Sequence, residues 1–180
     1  MTAVPEPAKM TAEAYLSMPN HSGELTELRG GEIVALARPS RQHQRIAYGL
    51  HSEIRSYIRA HNGSCDVNGE IDVRLDDANV VVPDISVVCD PSKLDDHGCN
   101  GAPDWVIEVL STNRHDDMHV KLRLYQEAGV REYWIVDPKN EKTLVYFFDQ
   151  SDFPDIYTFD TAIPVSIYGG ELAIRIRDLI

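Results

Sequence analysis

Asp84, Glu108 and Lys121 each interrupt an apolar pattern at an inward-facing position. In PDWVIEVLS, residues 103–111, strand alternation puts Trp105, Ile107 and Val109 on one side. Glu108 shares the other side with Val106 and Leu110. In VVVPDISVVC, residues 80–89, Asp84 takes the same side as Val82, Ser86 and Val88. In the helical stretch 115–128, Met118, Leu122, Leu124, Tyr125 and Ala128 form the apolar face, and Lys121 points into its middle. Asp117 lies one turn earlier on that face, whereas His119, Arg123, Gln126 and Glu127 lie on the polar side. A buried unpaired charge costs several kcal/mol, roughly, so each of the three needs a partner or a task.

The chemistry open to such a set is specific. Two neighbouring carboxylates repel unless a cation intervenes. A hard divalent cation prefers oxygen ligands and keeps several waters. Such an ion turns a bound water into a nucleophile and neutralises charge on a phosphate oxygen, and a nearby lysine orients that water or offsets the developing charge. The combination suits phosphodiester hydrolysis. A buried Asp–Lys–Glu network can also be purely structural, but three exceptions at matching depth favour a site.

The elements expected around these residues bring them to that depth. Glu108 sits about 7 Å before its strand end, and Lys121 about 9 Å into the following helix. A helix folding back over its strand sets the two level. Strand-like runs at 65–75, 79–89 and 104–110 follow one another, and an antiparallel 79–110 pair places Asp84 opposite Glu108. The helix then crosses over to a parallel strand, REYWIVD, which hairpins into KTLVYFF; one to three short strands follow. Upstream, Thr11–Pro19 reads as a short helix, GELTELRGGEIVALA as a hairpin turning at Arg29-Gly30-Gly31, and 41–61 as a long amphipathic helix. Gly129 is the expected helix stop. The fold class is α/β: a central mixed sheet flanked by helices, with an N-terminal β-hairpin.

Composition bounds the rest. The 180 residues suit one domain spanning 1–180, with residues 1–10 loose. The net charge of −12 argues against a protein that coats nucleic acid generally, but fits a carboxylate-rich cation site. No apolar run reaches membrane-spanning length, and the start lacks the features of a secretory signal, so the cytoplasm is the expected compartment. The odd count of three cysteines, with no CxxC, argues against a disulfide framework. Cys89, His97 and Cys99 lack a fourth partner at a usual zinc spacing.

Pro83-Asp84 and Glu108 resemble the "PD" and acidic positions of the PD-(D/E)XK nuclease superfamily. More narrowly, VVVPDISVV, APDWVIEVLS, DMHVKLRLYQEAGVREYWIVDP, TELRGGEIV and RQHQRIAYGL resemble the Uma-two family of restriction-endonuclease-like proteins, over about residues 11 to 150. The resemblance implies a restriction-endonuclease-like core of helix, three strands, helix and strand. It implies Mg²⁺ or Mn²⁺ held by Asp84, Glu108 and the Val109 backbone carbonyl. Leu110 occupies the position where the superfamily pattern has lysine, so the lysine is taken from the helix, as Lys121. Glu27 and Asp117 are supporting carboxylates by the same resemblance. Thr26 and Gly30 depart from the family's hairpin pattern.

His43 faces inward near its helix start, where it either approaches the site or is a satisfied core histidine. Glu53, at the border of that face, either extends the carboxylate cluster or lies on the surface. Arg41, Arg45, Arg55 and Arg59 form a stripe that either contacts phosphates or is a solvated face. Tyr133 and Trp134 follow the strand pattern. The expected activity is metal-dependent endonucleolytic hydrolysis of DNA, with Asp84, Glu108 and Lys121 catalytic. A homodimer is expected, since one site cuts one strand. The alternatives are a non-catalytic binding or regulatory module on the same fold, or a phosphohydrolase acting on small nucleotides.

Overall fold

The computed structural model describes residues 9–19, 25–111 and 115–180, and the side chains of 115–117 are outside that description. The expected loose terminus falls mostly on residues 1–8, and the expected role of Asp117 on its side chain; both lie outside the described residues.

The element order is α1 (Ala12–Leu16), β1 (Thr26–Arg29), β2 (Glu32–Ala35), α2 (Arg41–Ala60), β3 (Asp66–Asn68), β4 (Asp72–Arg74), β5 (Val80–Val81) and β6 (Ile85–Val88), then β7 (Gly98–Asn100), β8 (Trp105–Val109), α3 (His115–Ala128), β9 (Glu132–Asp137), β10 (Lys142–Phe147), β11 (Asp155–Thr158), β12 (Ile163–Pro164) and β13 (Ala173–Ile174). Local chemistry sets the boundaries. The Thr11 and Ser40 hydroxyls accept from Ala14 N and His43 N, capping α1 and α2. Helix α3 ends where Gly129 takes φ 91° and Val130 N–H returns to the Tyr125 carbonyl at 3.0 Å. Gly30 (φ 56°) and Gly31 (φ 80°) supply the two positive φ values that a two-residue turn between β1 and β2 requires.

Six strands form a sheet in the order β11-β10-β9-β8-β6-β3. Its pairs are antiparallel except β8 with β9, which are parallel and joined through α3. Both faces are covered. Ile46, Leu50 and Ile54 of α2 pack with Trp105, Ile107, Val109 and Trp134 on one side. Tyr125, with Met118, Leu122 and Leu124 of α3, packs with Val106, Tyr133 and Ile135 on the other. A five-stranded sheet, β2-β1-β5-β4-β7, adjoins it, and β12 pairs with β13. The mixed α/β class, the hairpin, the antiparallel β6–β8 pair and the crossover through α3 match the sequence reading.

Two expected long strands are each divided between the two sheets. The run 65–75 becomes β3 and β4, and 79–89 becomes β5 and β6. Pro83 has no N–H to continue a ladder, and Glu70 takes a left-handed φ of 49°. Glu70 N–H bonds to the Pro83 carbonyl at 3.2 Å, so the two crossings lie side by side. Strand β7 forms between the strand-like runs 79–89 and 104–110, where no strand is expected from the sequence, and pairs parallel to β4.

The cysteine expectation is also corrected: Cys65 and Cys89 form a disulfide. Asp66 pairs with Val88, so residues 65 and 89 stand opposite each other across an antiparallel pair. That partnership depends on strand register and leaves no CxxC trace. It removes Cys89 from any zinc set. Cys99 is free and buried, and burial pushes its thiol pKa up to about 11. Among the described residues no helix is long and apolar enough to cross a membrane.

Candidate active site

Alternation along β8 sends Trp105, Ile107 and Val109 toward α2 and leaves Glu108 on the α3 side with Val106. There Lys121 reaches it. The Lys121 ammonium lies 2.8 Å from Glu108 Oε1 and 2.8 Å from Glu27 Oε1. All three residues are buried. The Tyr125 hydroxyl, one turn beyond Lys121, donates to Glu108 Oε1 at 2.8 Å. Glu27 Oε1 also accepts from Val82 N–H at 2.9 Å, and Glu27 Oε2 pairs with the Arg29 guanidinium.

The charges are mutually supporting. Burial alone would lower the Lys121 pKa, but Glu108 and Glu27 more than offset it and hold it above the ordinary lysine value. Lys121 is therefore a fixed cation. Burial, reinforced by Glu108, pushes the Tyr125 pKa well above the usual value, so its hydroxyl stays protonated and donating.

Asp84 sits in the bend between β5 and β6. Its Oδ2 accepts from Val109 N–H at 2.7 Å and lies 2.8 Å from His43 Nε2. Since Ile85 pairs with Ile107, the register continues to bring Asp84 alongside Glu108. The regular side alternation does not continue, because the chain changes sheet at Pro83. Asp84 accordingly meets His43 of α2, and Lys121 is held by Glu108 and Glu27. The trio expected from sequence thus divides into a Glu108–Lys121 contact and an Asp84 contact with the adjoining backbone of Val109. Glu27, ranked as a supporting carboxylate, lies in the ion cluster. His43 is buried at the site rather than in the apolar core. Glu53 is exposed on α2 and does not join it. Arg29 and Tyr125 carried no usable signal: one reads as a hairpin residue, the other as ordinary apolar face.

The donors suit a hard divalent cation. Among the described residues no cluster of three or more His, Cys, Asp or Glu side chains surrounds one point. A small octahedral ion that retains waters needs only one or two carboxylates. Asp84 accepts from the Val109 N–H, and Glu108 is the residue before it on β8. Glu108 Oε2 accepts no hydrogen bond from the described residues, which leaves an anionic oxygen for an ion.

The chain is similar to known proteins in sequence and in fold. The chain is similar to the uncharacterized protein slr1290 of Synechocystis, with 29% identity over 142 residues, covering 77% of this chain and 74% of that one. Its fold is similar to the crystal structure from Anabaena variabilis titled a "putative nuclease belonging to DUF820". The TM-score is 0.80 at 24% identity, over 94% of this chain and 97% of that one. Residues 12–164 match the family model Uma2, described as "Putative restriction endonuclease". With that match spanning most of its length, the chain belongs to the Uma2 family.

Proposed function

We propose that this protein is a divalent-metal-dependent endonuclease that hydrolyses phosphodiester bonds in DNA. The observation that carries the proposal is the buried Lys121 ammonium, shared by Glu27 and Glu108 on the strand whose next backbone N–H binds Asp84. Family membership supports the same reaction class.

Asp84, Glu108 and the Val109 carbonyl would hold Mg²⁺ or Mn²⁺. When bound, the ion lowers the pKa of a water and offsets charge on the phosphate. The protein's own contribution is positioning. Val109 N–H and His43 orient the Asp84 carboxylate. Tyr125 and Lys121 fix Glu108 through Oε1 and leave Oε2 for the ion. Lys121 supplies a permanent positive charge toward the reacting phosphate, and Glu27 with Arg29 holds that lysine in place. One such site cuts one strand, so we propose a homodimer for duplex scission.

The test is cleavage of supercoiled plasmid in Mn²⁺ and in EDTA. Wild type should nick or linearise it only with metal. Asp84→Ala and Lys121→Ala should each lose activity by about a hundredfold or more. Cleavage that survives Lys121→Ala would rule out this mechanism, and a wild type that binds no Mn²⁺ by calorimetry would leave a non-catalytic module. Mononucleotides run in parallel separate a nuclease from a small-nucleotide phosphohydrolase.

A further inference from the structure

A cleft of about 350 Å³ opens beside Asp84, between α2 and the turn at Gly69-Glu70. Its walls include His43, Gln44, Tyr48, His51, Glu70 and Asp84. A smaller cavity of about 20 Å³ adjoins it and shares His43, Glu70 and Asp84, so the cleft is continuous with the candidate active site. Its size is at the low end of the roughly 300–1,000 Å³ typical of small-ligand sites.

The side of α2 that forms the cleft wall is not apolar. Tyr48 is 66% exposed, and it has no hydrogen bond or ring contact with the described residues. Arg41, Gln44, Tyr48, His51, Arg55 and Arg59 recur at steps of three and four residues and so form one ridge, about 27 Å long. Arg45 lies beside it, one residue beyond Gln44. The arginines are exposed. Within α2, four arginines stand against one glutamate, in a chain of net charge −12. The sequence reading left open whether this stripe points away from the site. In the fold the arginines do not line the cleft themselves; along α2, Arg41 and Arg55 with Arg59 lie before and after the wall residues Gln44, Tyr48 and His51.

Resting on the nuclease proposal, we infer that this ridge and the Glu70 turn form a subsite for one unpaired base of the substrate strand, next to the phosphate at Asp84. The Tyr48 ring offers a stacking face, which a base inside a duplex cannot use because both its faces are covered. Gln44 and Glu70 offer edge contacts. The Glu70 carboxylate accepts only; an exocyclic amine such as that of cytosine donates to it freely, whereas the N3–H of thymine lies between two carbonyls that the charge repels, so cytosine is favoured over thymine. Its charge also repels phosphate, which orients the base inward and the backbone toward the arginines. The left-handed backbone of Glu70, pinned to Pro83, presents that residue at the cleft. Arg41, Arg45, Arg55 and Arg59 then pair with phosphates of the continuing strand.

The test measures binding in EDTA, so that catalysis and metal are not involved. Fluorescence anisotropy follows short labelled single-stranded oligo-dC and oligo-dT and a duplex of equal length. Wild type should bind oligo-dC more tightly than oligo-dT, and both more tightly than the duplex. Tyr48→Ala should weaken single-strand binding about tenfold or more, and Tyr48→Phe should restore it. The Arg45→Glu/Arg55→Glu pair should abolish binding, Glu70→Ala should remove the dC preference, and Arg131→Glu, off the ridge, should change nothing. Thermal denaturation confirms that the variants remain folded. Unchanged affinity in Tyr48→Ala and in the arginine pair overturns the subsite. So does a wild type that prefers duplex, or one that cleaves plasmid normally without binding single strands; the latter leaves the nuclease assignment standing. A wild type that neither binds nor cleaves removes both.

Discussion

Replacing Lys121 with methionine keeps the unbranched stem, one atom shorter, and deletes the charge between Glu27 and Glu108. Both carboxylates are buried, at 0% and 5% exposure. After the change Glu27 retains Arg29 and the Val82 N–H, and Glu108 retains the Tyr125 hydroxyl. Neither retains the cation they shared. Removing one partner of a buried ion pair costs about 3–5 kcal/mol. For a chain of this size each kcal/mol moves the melting temperature by about 2–4 °C, so the variant should melt roughly 6–20 °C lower. Thermal and urea denaturation followed by circular dichroism measure this. The exposed Lys142→Met, as control, should stay within about 0.5 kcal/mol of wild type. Adding Glu108→Gln to Lys121→Met removes the orphaned charge, so the double variant should be more stable than the sum of the two single losses, by about 0.5–3 kcal/mol. Saturating Mn²⁺ should restore part of the stability of Lys121→Met by supplying another cation, about 2.7 kcal/mol at a hundred times Kd. A loss below about 1 kcal/mol for Lys121→Met, with strictly additive double-variant energetics, would refute the idea that Lys121 holds this cluster together.

Three further outcomes follow from other parts of the molecule. Asp84→Asn should weaken Mn²⁺ binding in calorimetry by about tenfold or more, with a smaller fall in melting temperature than Lys121→Met, because the amide oxygen still accepts from Val109 N–H and stays within reach of His43. Burial pushes the Glu132 pKa up to about 7, against the opposing hydrogen bonds from Trp134, Ile167 and Ser166. A carboxyl raised on folding binds more protons in the folded state, so its stabilisation is full below about pH 4.5 and is lost as pH rises through 7. The difference in urea midpoint between wild type and Glu132→Gln should therefore change sharply from pH 5 to pH 8, by up to about 3 kcal/mol, and a flat difference would show that burial does not dominate there. Reducing the Cys65–Cys89 disulfide, 24 residues apart, should cost about 3 kcal/mol. A Cys65→Ala/Cys89→Ala variant should match the reduced protein and be insensitive to reductant in the same denaturation assay.

The chain determined locally what local chemistry controls. Thr11 and Gly129, and the paired glycines after Arg29, mark element ends by capping and positive φ, and those ends are where they read. The misplaced polarity of Glu108 and Lys121 pointed to burial with a partner, and each is the other's partner. Tertiary structure decided what depends on strand register and sheet membership. Pro83 and the Glu70 turn move the chain from one sheet to the other, and that carries Asp84 to His43 instead of Lys121. Glu27, from a four-residue strand too short to show a period, reaches Lys121 only because β1 pairs with β5. Cys65 meets Cys89 only because β3 pairs with β6. Pairing between distant segments is set by how whole faces bury against one another, and no window of neighbouring residues contains that information.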